Sequence, residues 1–461
     1  MSGVLLGADL GTSGLKLVAL DEAGSVVAET EAGYQVHHPA PDRAEGDVGE
    51  WRAAFGDALA ALLPQLGGAP VRAVGLSGQM HGAVLVDAAG AALRPALLWP
   101  DRRATAEVAR WRELPTPDRA GLANPLVPGM TGPMAAWLAR HEPGAVDAAA
   151  ALLLPKDALR AALLPGTDPR VTDRSDASAT LLWDVVADHW SAAAVEAAGI
   201  SPSMLPVVRA STDVAGVLTG PLEGVPVVVG GADTPLALLA LGPADGIVVN
   251  LGTGAQVLRP GAPPQPADDP PVHTYADVDG GWYAMAALQN AGSAWQWVCD
   301  VLGLSWADLF AAAAAAPSGA GGVVFRPFLT GERGGVAGPD DRGGWTGLSA
   351  GTTRAELARA AVEGVVFAIA SAAALLDVPD GLVLLSGGGA RSALVPQLLA
   401  DVLDRPVRPV WLRSASAVGA ALLAARGAGL EVAPAGPSGA ELAPRSEPLL
   451  TGAYAEWTET R

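Results

Sequence analysis

A chain of 461 residues exceeds what one hydrophobic core usually organises, so its length predicts two or three domains, with two the simpler reading. Half the residues are hydrophobic and 17% are charged, which excludes a disordered chain, while a formal net charge of −19 opposes general affinity for nucleic-acid phosphates or anionic membranes. Cys299 is the only cysteine, so an intrachain disulfide and a CxxC metal or redox site are excluded, as befits a reducing cytoplasm.

From the N-terminus, Met-Ser-Gly runs directly into a strand pattern, without the basic start of an export signal. Three strands are predicted at 4–9, 15–20 and 26–30, joined by glycine-containing turns at Gly11 to Gly14 and Asp21 to Gly24. An amphipathic helix over 50–66 and a strand over 71–77 complete a β-β-β-α-β opening. Further on, "VPVVVGGADTPLALLAL" (225–241) reads as strand, Gly-Gly turn, Asp233, helix. Near residue 245, "GIVVNLGTGAQVLRP" repeats the wording of the opening, with 282–288 as a third strand, 352–376 as a long helix and 381–388 as a final strand. Two related halves meeting near Gly242 to Gly246 make an α/β protein with a cleft between domains. The apolar stretch 365–376 is too short to cross a bilayer and reads as buried helix, as does the alanine run 311–316. Loops at 259–271 and 333–344 read as surface segments, the second also as a mobile flap.

The two turns, Asp9-Leu10-Gly11-Thr12-Ser13-Gly14 and Asn250-Leu251-Gly252-Thr253-Gly254, are either plain hairpins or anion cradles, since glycine lets backbone N–H groups crowd inward and Thr12, Ser13 and Thr253 add hydroxyls. Their repetition favours a nucleotide clamped between halves. Asp9 is either a turn cap or a carboxylate for Mg2+, which takes one or two carboxylates plus phosphate oxygens. The spacing of a P-loop is absent. A third glycine cluster, "VLLSGGGARSALVPQLLADVL" (383–403), follows a strand and opens a helix, and Ser392 spoils its match to a dinucleotide fingerprint. Asp233 is either the N-cap of its helix or a base facing a substrate hydroxyl. His81 in Gln-Met-His-Gly sits among residues suited to a polyhydroxy ligand. Trp99 is also readable as a core aromatic, and Asp101 with Arg103 as a surface ion pair.

The order of "GADLGTSGLKLVALDEAG", "GLSGQMHGAVLVD", "MTGPMAAWLARHEP", "LLPKDALR", "SDASATLLWDV", "FLTGER" and the third glycine cluster resembles the FGGY carbohydrate kinases along almost the whole chain, with Gln-Met-His-Gly similar to the form in members that act on xylulose. The resemblance implies two ribonuclease H-like domains of the actin and sugar-kinase type facing a central cleft, 1–242 binding the sugar and 243–461 the nucleotide. It implies ATP and Mg2+, with Asp233 as general base, and Asp9 and Asp233 toward the metal. Gly11, Thr12, Ser13 and Lys16, and Gly252, Thr253 and Gly254, fall on the phosphate loops. Gly388, Gly389 and Ala390 fall near the adenosine. Met80, His81, Trp99, Asp101 and Asp233 fall on the sugar. The implied reaction moves the ATP γ-phosphoryl to the terminal hydroxyl of D-xylulose. The implied partners are these small molecules, without nucleic acid or membrane, a homodimer being common among such kinases.

The chain departs from the family pattern at Trp99-Pro100-Asp101, where Asn is usual at the middle position, at Thr234-Pro235, where Asn usually follows the base, and after Gly-Glu-Arg, which continues as Gly334-Gly335. Another ketose or a pentitol, or a non-catalytic nucleotide-gated protein, stays open as an alternative reading.

Overall fold

The computed structural model describes residues 3–332, 334–433 and 439–459. The nearly unbroken apolar run of strand β1 (Val4–Leu10) is covered on both faces and pairs antiparallel with β2 (Gly14–Leu20), which pairs with β3 (Val26–Gly33). Helix α1 (Val48–Leu62) starts where the Asp47 carboxylate accepts the Gly49 and Glu50 N–H groups, and it buries Trp51, Phe55, Leu59 and Leu62 against the meander. Strand β4 (Val71–Gly78) then runs parallel to β1. After the segment 79–213 the chain returns as β5 (Val214–Val217), β6 (Pro226–Val228) and the short β7 (Gly231–Ala232), followed by helix α2 (Asp233–Leu241). The first sheet has the order β5-β6-β4-β1-β2-β3, with β7 beside β4.

The second half repeats this plan. Strands β8 (Ile247–Leu251), β9 (Ala255–Pro260), β10 (His273–Ala276) and β11 (Trp282–Leu288) are antiparallel neighbours. Helices α3 (Gly292–Leu302), α4 (Trp306–Ala315) and α5 (Arg354–Ala374) follow. Strand β12 (Val383–Ser386) is parallel to β8, and after helix α6 (Val395–Leu403) comes β13 (Val407–Pro409), parallel to β12. The order β10-β11-β9-β8-β12-β13 contains β11-β9-β8-β12-β13, the counterpart of β3-β2-β1-β4-β6 in the first sheet. The strand expected over 381–388 is thus present but penultimate. Helix α5 opens on a reciprocal Thr353–Glu356 capping box and is long and apolar enough to span a bilayer, yet 89% of its apolar window is buried as the spine of the second core.

A third core joins the halves, with Met80, Leu97 and Ala232 packed in one cluster with Tyr275, Tyr283 and Met285. The loop 259–271, expected merely to lie on the surface, also clasps the first half: Ala267 N–H donates to Ala120 O (3.0 Å), Leu126 N–H to Asp269 (2.9 Å), and Arg119 pairs with Asp268. The loop after 333 folds back on itself, Glu332 N–H donating to Gly338 O (2.8 Å) and Val336 buried in the second core; Arg333 lies outside the described residues.

Helix α7 (Ala415–Gly427) crosses back to cover the first sheet beside α2. Backbone meets backbone here. A Cβ on Gly7 would sit 1.8 Å from Ala417 O, one on Gly75 1.9 Å from Ala420 O, and one on Gly419 1.9 Å from Leu236 O. Gly7→Ala must therefore lever α7 off the sheet, and we expect it to lower stability by about 1–3 kcal/mol or more in urea unfolding. Gly56→Ala, whose Cβ would meet nothing on the exposed side of α1, should be neutral or raise it by up to about 1 kcal/mol. Equal unfolding midpoints for Gly7→Ala and the parent would contradict this packing.

Candidate functional site

Both glycine turns are hairpins, each closed by one tight bond: Gly11 N–H to Gly14 O (3.0 Å) and Gly252 N–H to Gly254 O (2.9 Å). They also carry spare donors, because among the described residues the backbone N–H groups of Thr12, Ser13 and Thr253 meet no protein acceptor. The first turn is braced from behind, where Gly11 O accepts from Gln79 Nε2 (3.1 Å) and from the Tyr34 hydroxyl. Thr12 and Thr253 line one cavity of about 480 Å³ between the halves, together with Met80, His81, Trp99 and Asp233. A second cavity of about 560 Å³ shares Gly252 and Thr253 with the first and continues to Gly388 and Gly389. The sequence-predicted residues of the two halves therefore converge on one connected cleft.

Asp233 is not an N-cap. Ala232 holds that position, and Asp233 is the first helical residue of α2, its Oδ1 accepting the Thr234 N–H (2.6 Å) and hydroxyl (3.2 Å). The corner before it is pinned from below. Gly230 (φ 88°) passes so close to β4 that a Cβ would lie 2.3 Å from Leu76 O, and the left-handed backbone there suits glycine alone. Val229 O accepts from Lys156 Nζ (3.2 Å) and Arg160 Nη1 (2.9 Å), and Ala232 N–H donates to Ser175 Oγ (2.9 Å), whose hydroxyl donates to Asp173. Lys156 is wholly buried, within 2.7 Å of Asp157, 3.2 Å of Asp173 and 3.3 Å of Asp176. Burial alone would strip its proton; the three carboxylates outweigh burial and hold it charged. A cluster of this kind is expensive to desolvate and strongly destabilising to break, so it fixes the corner that carries Asp233.

Asp9 lies in register with Lys16 on β2 and Ser77 on β4, and Ser77 is in register with Gly231 on β7. Asp9 and the corner of Asp233 are thus two strand spacings apart, about 10 Å between backbones. The Ser77 hydroxyl donates to Asp9 (2.9 Å), so Asp9 serves as no turn cap. Burial raises the Asp9 carboxyl, with Ser77 and the Lys16 charge opposing. Asp233 is pushed up to about 7, first by burial and then by the negative charge of Asp9. Two carboxylates in mutual repulsion at the end of a sheet, beside unpaired amide donors, fit a divalent cation that brings its own phosphate oxygens. Among the described residues no group of three His, Cys, Asp or Glu side chains could hold a metal by itself, so such an ion would depend on the phosphates and water. The matching position of the second sheet holds an amide: Asn250 pairs in register with Ser386 as Asp9 does with Ser77.

On the other wall, His81 adopts φ 66° and its Nδ1 lies 2.6 Å from Ala179 O. A carbonyl only accepts, so Nδ1 carries a proton and donates it to Ala179 O. Met80 Sδ takes the Tyr283 hydroxyl at 3.8 Å across the halves, and Trp99 Nε1 donates to Thr12 Oγ1 (3.3 Å), linking the expected sugar wall to the first turn. Trp99 is 38% exposed rather than a core aromatic. Other expected residues stand back from the cavity walls. Asp101 is buried, its carboxylate occupied by Arg103 (2.9 Å) and Ala44 N–H (2.8 Å), so the ion pair exists but is interior. Ala390 is buried, its carbonyl accepting from Trp411 (3.1 Å), and Ser13 is exposed at the tip of its turn. The third glycine cluster forms a short 3₁₀ turn, and α6 begins only at Val395, so the glycines do not form that helix's start. Sequence reasoning missed the Lys156–Asp173–Ser175 support and Gln79. The sequence gives little signal for them, since Lys156 stands beside Asp157 and near Arg160 as a surface residue would.

The description of the FGGY family of carbohydrate kinases, N-terminal domain, matches residues 4–240, and that of the C-terminal domain of the same family matches residues 247–428. The chain belongs to the FGGY family of carbohydrate kinases. The xylulose kinase of Escherichia coli (strain K12) is 34% identical over 434 residues, 91% of this chain and 88% of that protein, and the xylulose kinase of Streptomyces rubiginosus is 34% identical over 446 residues, 92% and 87%. The crystal structure of xylulose kinase from Rhodospirillum rubrum superposes with a TM-score of 0.88 at 28% identity, covering 99% of this chain and 98% of that one. This FGGY kinase is accordingly an ATP-dependent sugar kinase with two α/β domains.

The raised carboxyl of Asp233 has a consequence for stability. Because its folded value of about 7 exceeds the roughly 3.9 of an unfolded Asp, the folded state binds the proton more tightly, and stability falls as pH rises from about 4 to about 7. In metal-free buffer Asp233→Asn should melt higher than the parent at pH 8, with the advantage shrinking toward pH 5. A melting difference that does not vary with pH would contradict the assignment.

Proposed function

We propose that this kinase transfers the γ-phosphoryl of ATP to the terminal hydroxyl of D-xylulose, with Asp233 as the general base. The observation that carries this is the position of the half-buried Asp233 carboxylate in the cavity lined on one side by Met80, His81 and Trp99 and on the other by the Thr253 turn. With Oδ1 engaged by Thr234, Oδ2 is the oxygen left to take the alcohol proton. A base titrating near neutrality suits that task. The Thr12 and Thr253 turns supply amide and hydroxyl donors to the phosphates, and phosphoryl transfer depends mainly on such positioning and charge stabilisation. Asp9 and Asp233 would hold Mg2+, which when bound neutralises charge on the phosphate oxygens. The sugar belongs to the side built by 1–242, where His81 lines the cavity with Met80 and Trp99. The nucleotide belongs to the side built by 243–461, its adenosine directed toward Gly388 and Gly389. Lys16 acts from behind the first turn by opposing the charge of Asp9. The names of the relatives support xylulose as the acceptor, while Pro100 and Thr234 place this chain's own residues where the family's Asn residues usually stand.

Coupled ADP release across D-xylulose, L-xylulose, D-ribulose, D-fructose and xylitol tests acceptor and reaction together, with the highest kcat/KM expected for D-xylulose. Asp233→Ala should keep sugar binding and lose about 10²–10⁴ in kcat. A kcat near that of the parent would remove Asp233 from the mechanism, and a stronger response to another acceptor would reassign the sugar.

A further inference from the structure

The turn between β10 and β11 belongs to the second half, yet it meets the first half at the corner that carries Asp233. Asp277 Oδ1 accepts the N–H groups of Asp279 (2.9 Å) and Gly281 (2.6 Å), which closes the turn on itself. Its flanks are fastened to residues 174–178 of the first half. Ala276 N–H donates to Ser178 Oγ (2.9 Å), Arg174 Nη1 donates to Gly281 O (3.0 Å), and the Arg174 guanidinium lies 4.2 Å from the centroid of the Trp282 ring. Arg426 of α7 pairs with Asp279. From a turn held in this way one apolar side chain, Val278, packs against the cluster of Val228, Leu236, Ala420 and Leu423. A Cβ placed on Gly231 would lie 2.5 Å from Val278 Cγ1, whereas its next neighbours, Ser175 Oγ and Leu236 Cγ, would be 3.3 and 3.5 Å away. Gly231 lies outside the left-handed region, so its backbone would admit alanine and Val278 alone occupies the room of the missing methyl. Past the turn, Met285, Ala287 and Leu288 of β11 line the cavity that holds Asp233.

We infer that Val278 is a positioning residue for phosphoryl transfer: seated in the notch at Gly231, it lets the second half hold the Asp233 carboxylate in place. The inference rests on the proposed role of Asp233 as base. Gly231 stands two residues before Asp233, on the corner that Lys156, Arg160 and Ser175 fasten from within the first half. Those bonds fix the carbonyl of Val229 and the amide of Ala232, and Val278 fixes the stretch between them from the opposite half. A misplacement of about 1 Å can cost about 10²-fold in rate, so a corner supported from one half alone reacts slowly even while sugar still binds.

The test measures kcat, the KM values for ATP and for the best acceptor, and the melting temperature of the full-length protein. Gly231→Ala should lower kcat about 10–100-fold with both KM values within about 3-fold of the parent, and Val278→Ala should lower kcat about 3–10-fold. In Gly231→Ala/Val278→Ala the methyl added to one half takes the room vacated by the other, so kcat should return to within about 5-fold of the parent, a recovery that two independent lesions do not give. Val278→Thr separates position from stability. It keeps the branched shape while its hydroxyl lowers the melting temperature, so its kcat should stay near the parent's where Val278→Ala loses it. A parental kcat in Gly231→Ala, a double variant no faster than Gly231→Ala, or equal kcat in Val278→Thr and Val278→Ala overturns the inference. Where Gly231→Ala does not fold, the two Val278 variants decide it alone. Loss of kcat in Asp233→Ala without loss in the Gly231 and Val278 variants removes this inference and leaves Asp233 as base, whereas a parental kcat in Asp233→Ala removes both.

Discussion

Everything in this molecule is arranged around a carboxylate held where its own charge is unwelcome. Asp233 sits at a strand-to-helix corner within electrostatic reach of Asp9, and the backbone beneath it cannot relax to separate the two. Lys156 and Arg160 hold the carbonyl of Val229, Ser175 holds the amide of Ala232, and Gly230 is pressed against β4. The buried cation cluster and its carboxylates are costly to assemble, and their contribution is geometric fixity more than stability. In its proposed role as base, a carboxylate held this way needs little rearrangement to meet a hydroxyl, which is how preorganisation lowers a barrier.

The two related halves give that corner its context. Each presents a glycine turn to the same cleft, but only the first backs its turn with a carboxylate, the second offering Asn250 instead. The proposed division of labour between a metal-and-base side and a nucleotide side builds on this asymmetry. The crossing of α7 onto the first sheet, through contacts that tolerate no side chain at residues 7, 75 and 419, ties the end of the second half to the sheet of the first. The shared core of Tyr275, Tyr283 and Met80, with the clasp of the 259–271 loop, adds a second joint between the halves.

Much of this was legible in the residues. Unbroken apolar runs separated by glycine turns announced both meanders, and the repeated Leu-Gly-Thr wording announced their kinship. The position of Asp233 after a Gly-Gly turn was readable, though its exact place in the helix was one residue from the N-cap reading, because a cap is decided by which amide the side chain meets. What stayed hidden were pairings set by tertiary structure. A lysine beside an aspartate, as at 156–157, usually lies in water, and only the fold shows that Lys156 faces three carboxylates in the interior. Asp101 and Arg103 misled in the same way, a neighbouring pair of opposite charge that the fold encloses. The glycines under α7 were silent because close backbone approach has no local signature.

The most direct measurement is a crystal structure of the protein with D-xylulose and a non-hydrolysable ATP analogue. The account predicts a sugar hydroxyl about 3 Å from Asp233 Oδ2, with the terminal phosphate between the Thr12 and Thr253 turns. A terminal phosphate away from both turns, or a sugar whose hydroxyls all lie beyond hydrogen-bonding reach of Asp233, would contradict it.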